Sequence, residues 1–222
     1  MPENLMKVFL NSRVLAPVLR SFVGDANFTV ISNNCWGAHI YQALRIQYQT
    51  PFVGLFILPK TYLELLRRFD HYIRSNLTFT SESRSEAINL WRDREHLRYP
   101  IGLLDGRLEI HFQHYGDEVE ACSKWCRRCQ RINPDLRRLF FKFDDREGAT
   151  AEDIRAFCGL PLAHKVCFTR AAYSFSTIVI PGEPGDLHVS DGVALSRVSR
   201  RYFNTLRWVS TRSPLIPVPP LL

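Results

Sequence analysis

The stretch from Asn27 to Gln42 constrains the fold of this chain more than any other. Asn27-Phe28-Thr29-Val30 is β-branched and aromatic, as strands are, whereas Ile40, Leu44 and Tyr48 recur at the spacing of one helix face. The residues between, Ile31-Ser32-Asn33-Asn34-Cys35-Trp36-Gly37-Ala38-His39, therefore read as a strand-to-helix turn. In an open α/β sheet such turns lie at the carboxyl ends of strands, where ligands bind and the next helix offers unpaired N–H groups. Asn33 and Asn34 are candidate N-caps. Cys35 falls in the first turn, a position that lowers a thiol pKa. His39, four residues on, is placed to reach Cys35 along one helix face, and a Cys–His pair suits nucleophilic acyl transfer.

The pattern downstream extends the same architecture. Phe52 to Leu58 predicts a second strand, and Pro59 opens a helix with Tyr62, Leu65, Leu66, Phe69 and Ile73 as its buried stripe. Leu139 to Phe143, His164 to Thr169 and Ser176 to Ile180 predict further strands, and Thr150-x-x-Asp153 opens a short helix in capping-box style. Strand and helix in alternation predict one α/β domain, a mostly parallel open sheet flanked by helices, over residues 25–210. A hairpin is added by Tyr99–Leu104 and Arg107–Tyr115 across the turn dipeptide Asp105-Gly106. An amphipathic helix over residues 5–23, with Pro17 as a kink, makes up the N-terminal segment 1–24, and a Pro-rich tail occupies 211–222. Residues 77–99 turn polar and suit either a lid or a surface insertion. A last helix is expected over 201–209. If the Leu139 strand runs parallel to the first, the carboxylates of Asp144 and Asp145 and the guanidinium of Arg146 share the rim of Cys35.

Composition narrows the function classes. In 222 residues no apolar run approaches the ~20 needed to cross a bilayer, which leaves only peripheral membrane contact open. Six cysteines without an export pattern are expected as free thiols in a reducing cytoplasm. A formal charge of +7 favours an anionic small molecule or sugar as partner. Nucleic acid is disfavoured, because the aromatics sit in apolar strand patterns and are not interleaved with the basic residues.

The segment 117–132 concentrates that charge in Lys124, Arg127, Arg128 and Arg131, and Arg127 or Arg128 is a candidate phosphate clamp. Cys122, Cys126 and Cys129 have a cluster-like spacing, but on a helix they fall on one face with Val119 and Trp125, so a core stripe is expected and no metal site. His111 and His114 lie on opposite faces of a strand. Asp186-x-His188 is one residue short of the Asp-x-x-His spacing of small esterases. No phosphate-cradling glycine motif and no Asp-x-Asp of a metal-dependent glycosyltransferase occurs.

The run SNNCWGAHIYQ, with Thr50-Pro51-Phe52-Val53-Gly54-Leu55-Phe56-Ile57, resembles the opening of an uncharacterised bacterial family associated with exopolysaccharide and capsule biosynthesis loci. The similarity continues through Tyr99–Leu104, Glu109–Tyr115, Arg127-Arg128 to Ile132-Asn133, and Phe141 to Arg146. It implies a role in surface polysaccharide biosynthesis, with enzymes of polysaccharide assembly as the expected partners. By analogy with capsule-pathway proteins that carry an Asn-Cys pair, CoA or acetyl-CoA is the expected donor for acylating a sugar. Cys35, His39 and Asp144 are then the candidate catalytic groups. Asn33, Asn34, Trp36 and Gly37 are the candidate ligand contacts of the turn, with His111, Arg127, Arg128 and Arg146 beyond it. The alternatives are a non-catalytic module binding a glycan or a partner, and a nucleotide-sugar glycosyltransferase.

Overall fold

The computed structural model describes residues 15–210. Along the chain, α1 (Leu15–Val23) leads into β1 (Thr29–Ser32), and a 3-10 turn at Cys35–Gly37 opens α2 (Ala38–Leu44). Two helices, α3 (Pro59–Arg67) and α4 (Phe69–Arg74), precede β2 (Leu77–Thr80) and α5 (Glu86–Arg94). The hairpin strands β3 (Ile101–Leu104) and β4 (Leu108–His111) follow, then α6 (Glu118–Cys129) and β5 (Leu139–Asp144). The chain continues with α7 (Ala151–Gly159), β6 (Lys165–Thr169), β7 (Ile178–Val179), α8 (Gly192–Val198) and α9 (Thr205–Val209).

The strands β1, β5, β6 and β7 pair in that order, all parallel, with Thr29 opposite Leu139 and Phe141 opposite Lys165. A separate antiparallel sheet orders β2, β3 and β4. Successive side chains of a strand point to opposite faces, and both faces of the parallel sheet are covered. Ile31, Phe141, Phe143 and Cys167 enter one core with Tyr62 and Leu65 of α3, Phe157 of α7 and Trp125 of α6. Val30, Phe140, Val166 and Phe168 enter the other, against α1, α2, α8 and α9. The continuously apolar reading of these strands follows from that double burial. Among the described residues no helix is long and apolar enough to cross a membrane.

Local expectations held at several points. Pro59 is at the start of α3, and Asp117 caps α6 by accepting from Glu120 N–H. The capping box Thr150–Asp153 is formed in both directions. Asp105 and Gly106 both take positive φ, which the tight hairpin turn requires. Pro17, expected as a kink, is the third residue of α1 as described, and no kink is assigned to it. The expected helix before Leu15 and the tail after Ser210 lie outside the described residues.

Other expectations are corrected. Phe52–Leu58 is no strand of the parallel sheet; it is a buried extended liner whose only β pairing is a bridge from Phe56 to His111. Gly54, at φ +72, bends it, and Ile57 N–H bonds Asn33 O to tie it to the end of β1. The first helix after the turn ends at Leu44, four residues before Tyr48, because Arg45 adopts the left-handed conformation (φ 51, ψ 46). The cysteine stripe of α6 is not a core face: Trp125 is 2% exposed, but Val119 is 79% exposed and Cys126 is exposed. The polar segment 77–99 forms β2 and α5. The helix placed over 201–209 is preceded by α8, and only Thr205–Val209 remains α-helical within it.

The segment that read as a lid or insertion is tied down through β4. Ser83 Oγ and the Arg84 N–H both donate to the buried Glu109 carboxylate, and His111 Nε2 lies 2.9 Å from its Oε1. Burial opposes ionisation of Glu109, but the neighbouring His111, the Arg84 N–H and Ser83 outweigh it and bring its pKa down to about 2. The folded pKa is below the unfolded one, so this stabilisation is present above about pH 4.5 and is lost as pH falls toward 2. Relative to Glu109→Gln, the wild-type chain should therefore lose about 2–3 kcal/mol between pH 5 and pH 2 in urea denaturation. Parallel stability curves for the two proteins would contradict this role.

Candidate functional site

Lys142 and Asp144 are two residues apart on β5, so both project to the same face, and both are fully buried (0%). They pair with each other, the Arg146 N–H donates to Asp144 Oδ1 (3.4 Å), and the turn after β1 supplies four further bonds. Asn33 Nδ2 donates to Asp144 Oδ1 (3.0 Å) and Asn34 Nδ2 to Asp144 Oδ2 (2.7 Å). The Lys142 ammonium donates to Asn33 Oδ1 (3.1 Å) and Asn34 Oδ1 (2.9 Å). Burial of two charges costs several kcal/mol per ion, and only such a closed set of bonds offsets it. Burial works against the Asp144 carboxylate, yet Lys142 and the two amides hold its pKa below the usual carboxylate range. Burial also lowers the Lys142 pKa, opposed by Asp144.

This network sets the turn. Asn34 is extended (φ −153, ψ −168) and also caps the 3-10 turn, its Oδ1 accepting from Trp36 N–H at 3.3 Å. The Cys35 thiol is half-buried and directed at Leu55 O, 3.9 Å away. Burial raises its pKa, which corrects the expected lowering: a single 3-10 turn precedes α2, and burial exceeds the pull of Lys142. No hydrogen bond joins His39 to Cys35; burial and Arg200 lower the His39 pKa, and its bonding partner is Gln42.

Trp36 and Gly37 serve packing. Trp36 is buried against Phe168 and Trp208 and donates Nε1–H to Ser199 Oγ (3.1 Å). A Cβ on Gly37 would stand 2.9 Å from Val30 Cγ1, so α2 crosses β1 only with glycine there. His111 is fully buried, stacked on Phe56 with ring centroids 4.4 Å apart. On the rim, Arg146 donates to Val189 O (3.1 Å) and pairs with Glu147, while Asp145 accepts from Val189 N–H and Arg170 N–H. Asp186 is held by Arg170 and His188 faces Val189 O, so the two form no pair.

Arg127 and Arg128 belong to a different feature. They line a cavity of about 800 Å³ where the C-terminal ends of α2 and α6 converge. Tyr41 and Gln42 of the signature stretch line it too, with Arg45, Gln47, Tyr48 and Arg131. Arg128 is buried, donates to Tyr115 Oη (2.7 Å) and lies over the Tyr48 ring at 5.2 Å. Arg131 donates to Tyr48 O (3.4 Å), and the Gln47 amide, oriented oxygen-first, accepts from both of its terminal nitrogens at 3.2 and 3.0 Å. Four arginines thus line one concavity, and no carboxylate is among the lining residues. Glu120, the acid that senses Arg128, is occupied by Lys124 and the Gly116 N–H. Among the described residues no cluster of His, Cys, Asp or Glu is arranged to hold a metal ion.

The structure brings Asn33, Asn34 and Asp144 together as the sequence suggested, and separates Arg127 and Arg128 from them. Lys142 was missed although a lysine inside Leu139–Phe143 was a signal. Arg45 carried none, since the helical reading ran through it.

Substitution at the network separates its charges from its shape. Lys142→Met should cost about 3–5 kcal/mol, because it leaves Asp144 buried and uncompensated. The double variant Lys142→Met/Asp144→Asn should recover a large part of that in denaturant titration; additive losses would refute the coupling.

A family model described as "Domain of unknown function (DUF1919)" matches residues 13–210. An uncharacterised protein of Haemophilus influenzae is 40% identical over 149 residues, 67% of this chain. The match spans 65% of that relative's length. The chain belongs to the DUF1919 family.

Proposed function

We propose that this chain serves surface, that is exo- or capsular, polysaccharide biosynthesis by binding an anionic sugar ligand in its arginine-lined cavity. One observation carries the reading: four arginines line one concavity whose lining holds no carboxylate. Arginines used as scaffold are usually neutralised by nearby acids; here Arg128 and Arg131 are positioned by a tyrosine hydroxyl, a carbonyl and an amide, which leaves their charge available. The resemblance of the turn and of Arg127-Arg128 to the polysaccharide-associated family supplies the pathway. Tyr41, Gln42, Arg127 and Arg128 from those stretches meet in the cavity.

Binding is favoured over acyl transfer at the rim. Cys35 is half-buried with a raised pKa, His39 does not bond it, and Asp144 is consumed by Lys142 and two amides. CoA or acetyl-CoA remains the donor to test there.

The purified chain should be stabilised by acidic or phosphorylated sugars and not by neutral ones, with an affinity that falls steeply with salt. A ligand at a hundred times its Kd stabilises by about 2.7 kcal/mol, well within reach of a thermal shift. Arg127→Ala/Arg131→Ala should abolish the shift. Equal shifts in the double variant, or none with any anionic sugar, would remove the reading. Acetyl-CoA-dependent transfer lost in Cys35→Ala would relocate the function to the rim.

A further inference from the structure

We infer that the cavity is built for a diphosphate ester, a sugar carried on a diphosphate, rather than for a carboxylate-bearing glycan. The inference rests on the anion-binding reading of this cavity and names its ligand class.

Charge comes first. The C-terminal ends of α2 and α6 converge on the cavity, and a helix end contributes about half a negative charge. Against four guanidinium groups this leaves roughly three positive charges without a counter-ion. A single carboxylate would leave most of that unmatched; a monoester phosphate and a diphosphate esterified at both ends each bring about two negative charges, so it is spacing that separates those two.

Spacing comes second. Arg127 and Arg131 are four residues apart, and the Arg131 N–H still bonds Arg128 O, so the helical turn continues and their side chains rise from one face. Two planar forks one turn apart, each able to grip two oxygens, suit two adjoining phosphoryl groups. An acidic polysaccharide repeats its charges at sugar-length intervals and would need an extended basic groove. This lining is instead gathered around one concavity of about 800 Å³, a size that holds a cofactor-sized molecule.

Arg45 is the third observation. It faces the others across the cavity from the end of α2, and it holds φ 51, ψ 46, where glycine is the residue without a steric penalty. The Arg45 side chain is exposed, so a ligand in the cavity can reach it. In the same lining Gln42 Nε2 donates to the Tyr48 hydroxyl and the Gln47 oxygen accepts from Arg131, which leaves the Gln42 oxygen and the Gln47 nitrogen as neutral partners for the hydroxyls of the sugar.

Titration calorimetry and thermal shift on the full chain would use four probes. They are uridine diphosphate glucose, a short-chain polyprenyl diphosphate sugar, glucose 1-phosphate and trigalacturonate. Either diphosphate should bind about tenfold or more tightly than glucose 1-phosphate, and which one binds separates a nucleotide from a lipid carrier. Arg45→Gly should weaken that binding about tenfold while leaving the melting temperature unchanged or higher, an opposition that a merely structural arginine would not produce. Equal binding of glucose 1-phosphate, or an Arg45→Gly protein that binds as tightly as wild type, would overturn the inference. Binding of trigalacturonate alone would overturn it and leave the anionic-sugar reading standing. Binding of none of the four would remove both.

Discussion

Everything at the carboxyl end of the parallel sheet depends on the buried pair of Lys142 and Asp144. Two charges in a fully enclosed site are tolerable only when every remaining donor and acceptor is met. Asn33 and Asn34, with the Arg146 N–H, meet them, which fixes β1 against β5 and dictates how the chain leaves the sheet. The exit path then sets its surroundings. Gly192 at the start of α8 comes so close to the turn that a Cβ there would stand 2.9 Å from both Asn34 Oδ1 and Trp36 N. Trp36 is driven into the core between Phe168 and Trp208, and the liner Phe52–Leu58 is drawn in through Ile57 and Asn33. A slip of one residue in either strand would strand a charge in apolar surroundings, so the pair selects a single register.

The two ends of α2 therefore follow opposite electrostatic rules. At its start, every charge has a partner and the geometry is closed. At its end, guanidinium groups are held in place by neutral acceptors and their charge is unspent. The first arrangement gives rigidity; the second leaves a concentration of positive charge around one concavity. The signature stretch spans both, since Asn33 and Asn34 belong to the closed end and Tyr41 and Gln42 to the open one.

Much of the fold was legible because its signals were local. Leu139–Phe143 is apolar on both faces and proved to be a central strand; Asp105-Gly106 marked its turn; Asn34 marked its cap. Asp144 was placed on the correct rim by topology alone. Phe52–Leu58 misled because an apolar run has the same composition whether it joins a ladder or merely lines a core, and the left-handed Gly54 that breaks it does not announce itself. The thiol of Cys35 misled because helix-start chemistry is local, whereas burial, which depends on the whole fold, raises its pKa against the lowering pull of the Gly54 and Leu55 backbone and of Lys142. The arginine cavity was half visible. Arg127 and Arg128 stood out as a basic pair, but their meeting with Arg45 depends on where α2 stops, and helix ends are the least readable feature of a sequence.

The coverage of β1 has a consequence for how copies of this chain can associate. β1 is the last strand on its side of the parallel sheet, and Thr50 Oγ1 donates to Val30 O (2.7 Å) while Thr29 Oγ1 donates to Gln49 O (2.9 Å). Thr50 and the Tyr41 hydroxyl, which accepts from Val30 N–H, thus occupy backbone groups of β1 that an intruding strand would need. At the other side β7 is only two residues long, too short to template a ladder. The parallel sheet is closed to edge-to-edge growth by a strap on one flank and by brevity on the other. Any partner that docks on this face of the fold must read side chains, because the backbone has little left to offer.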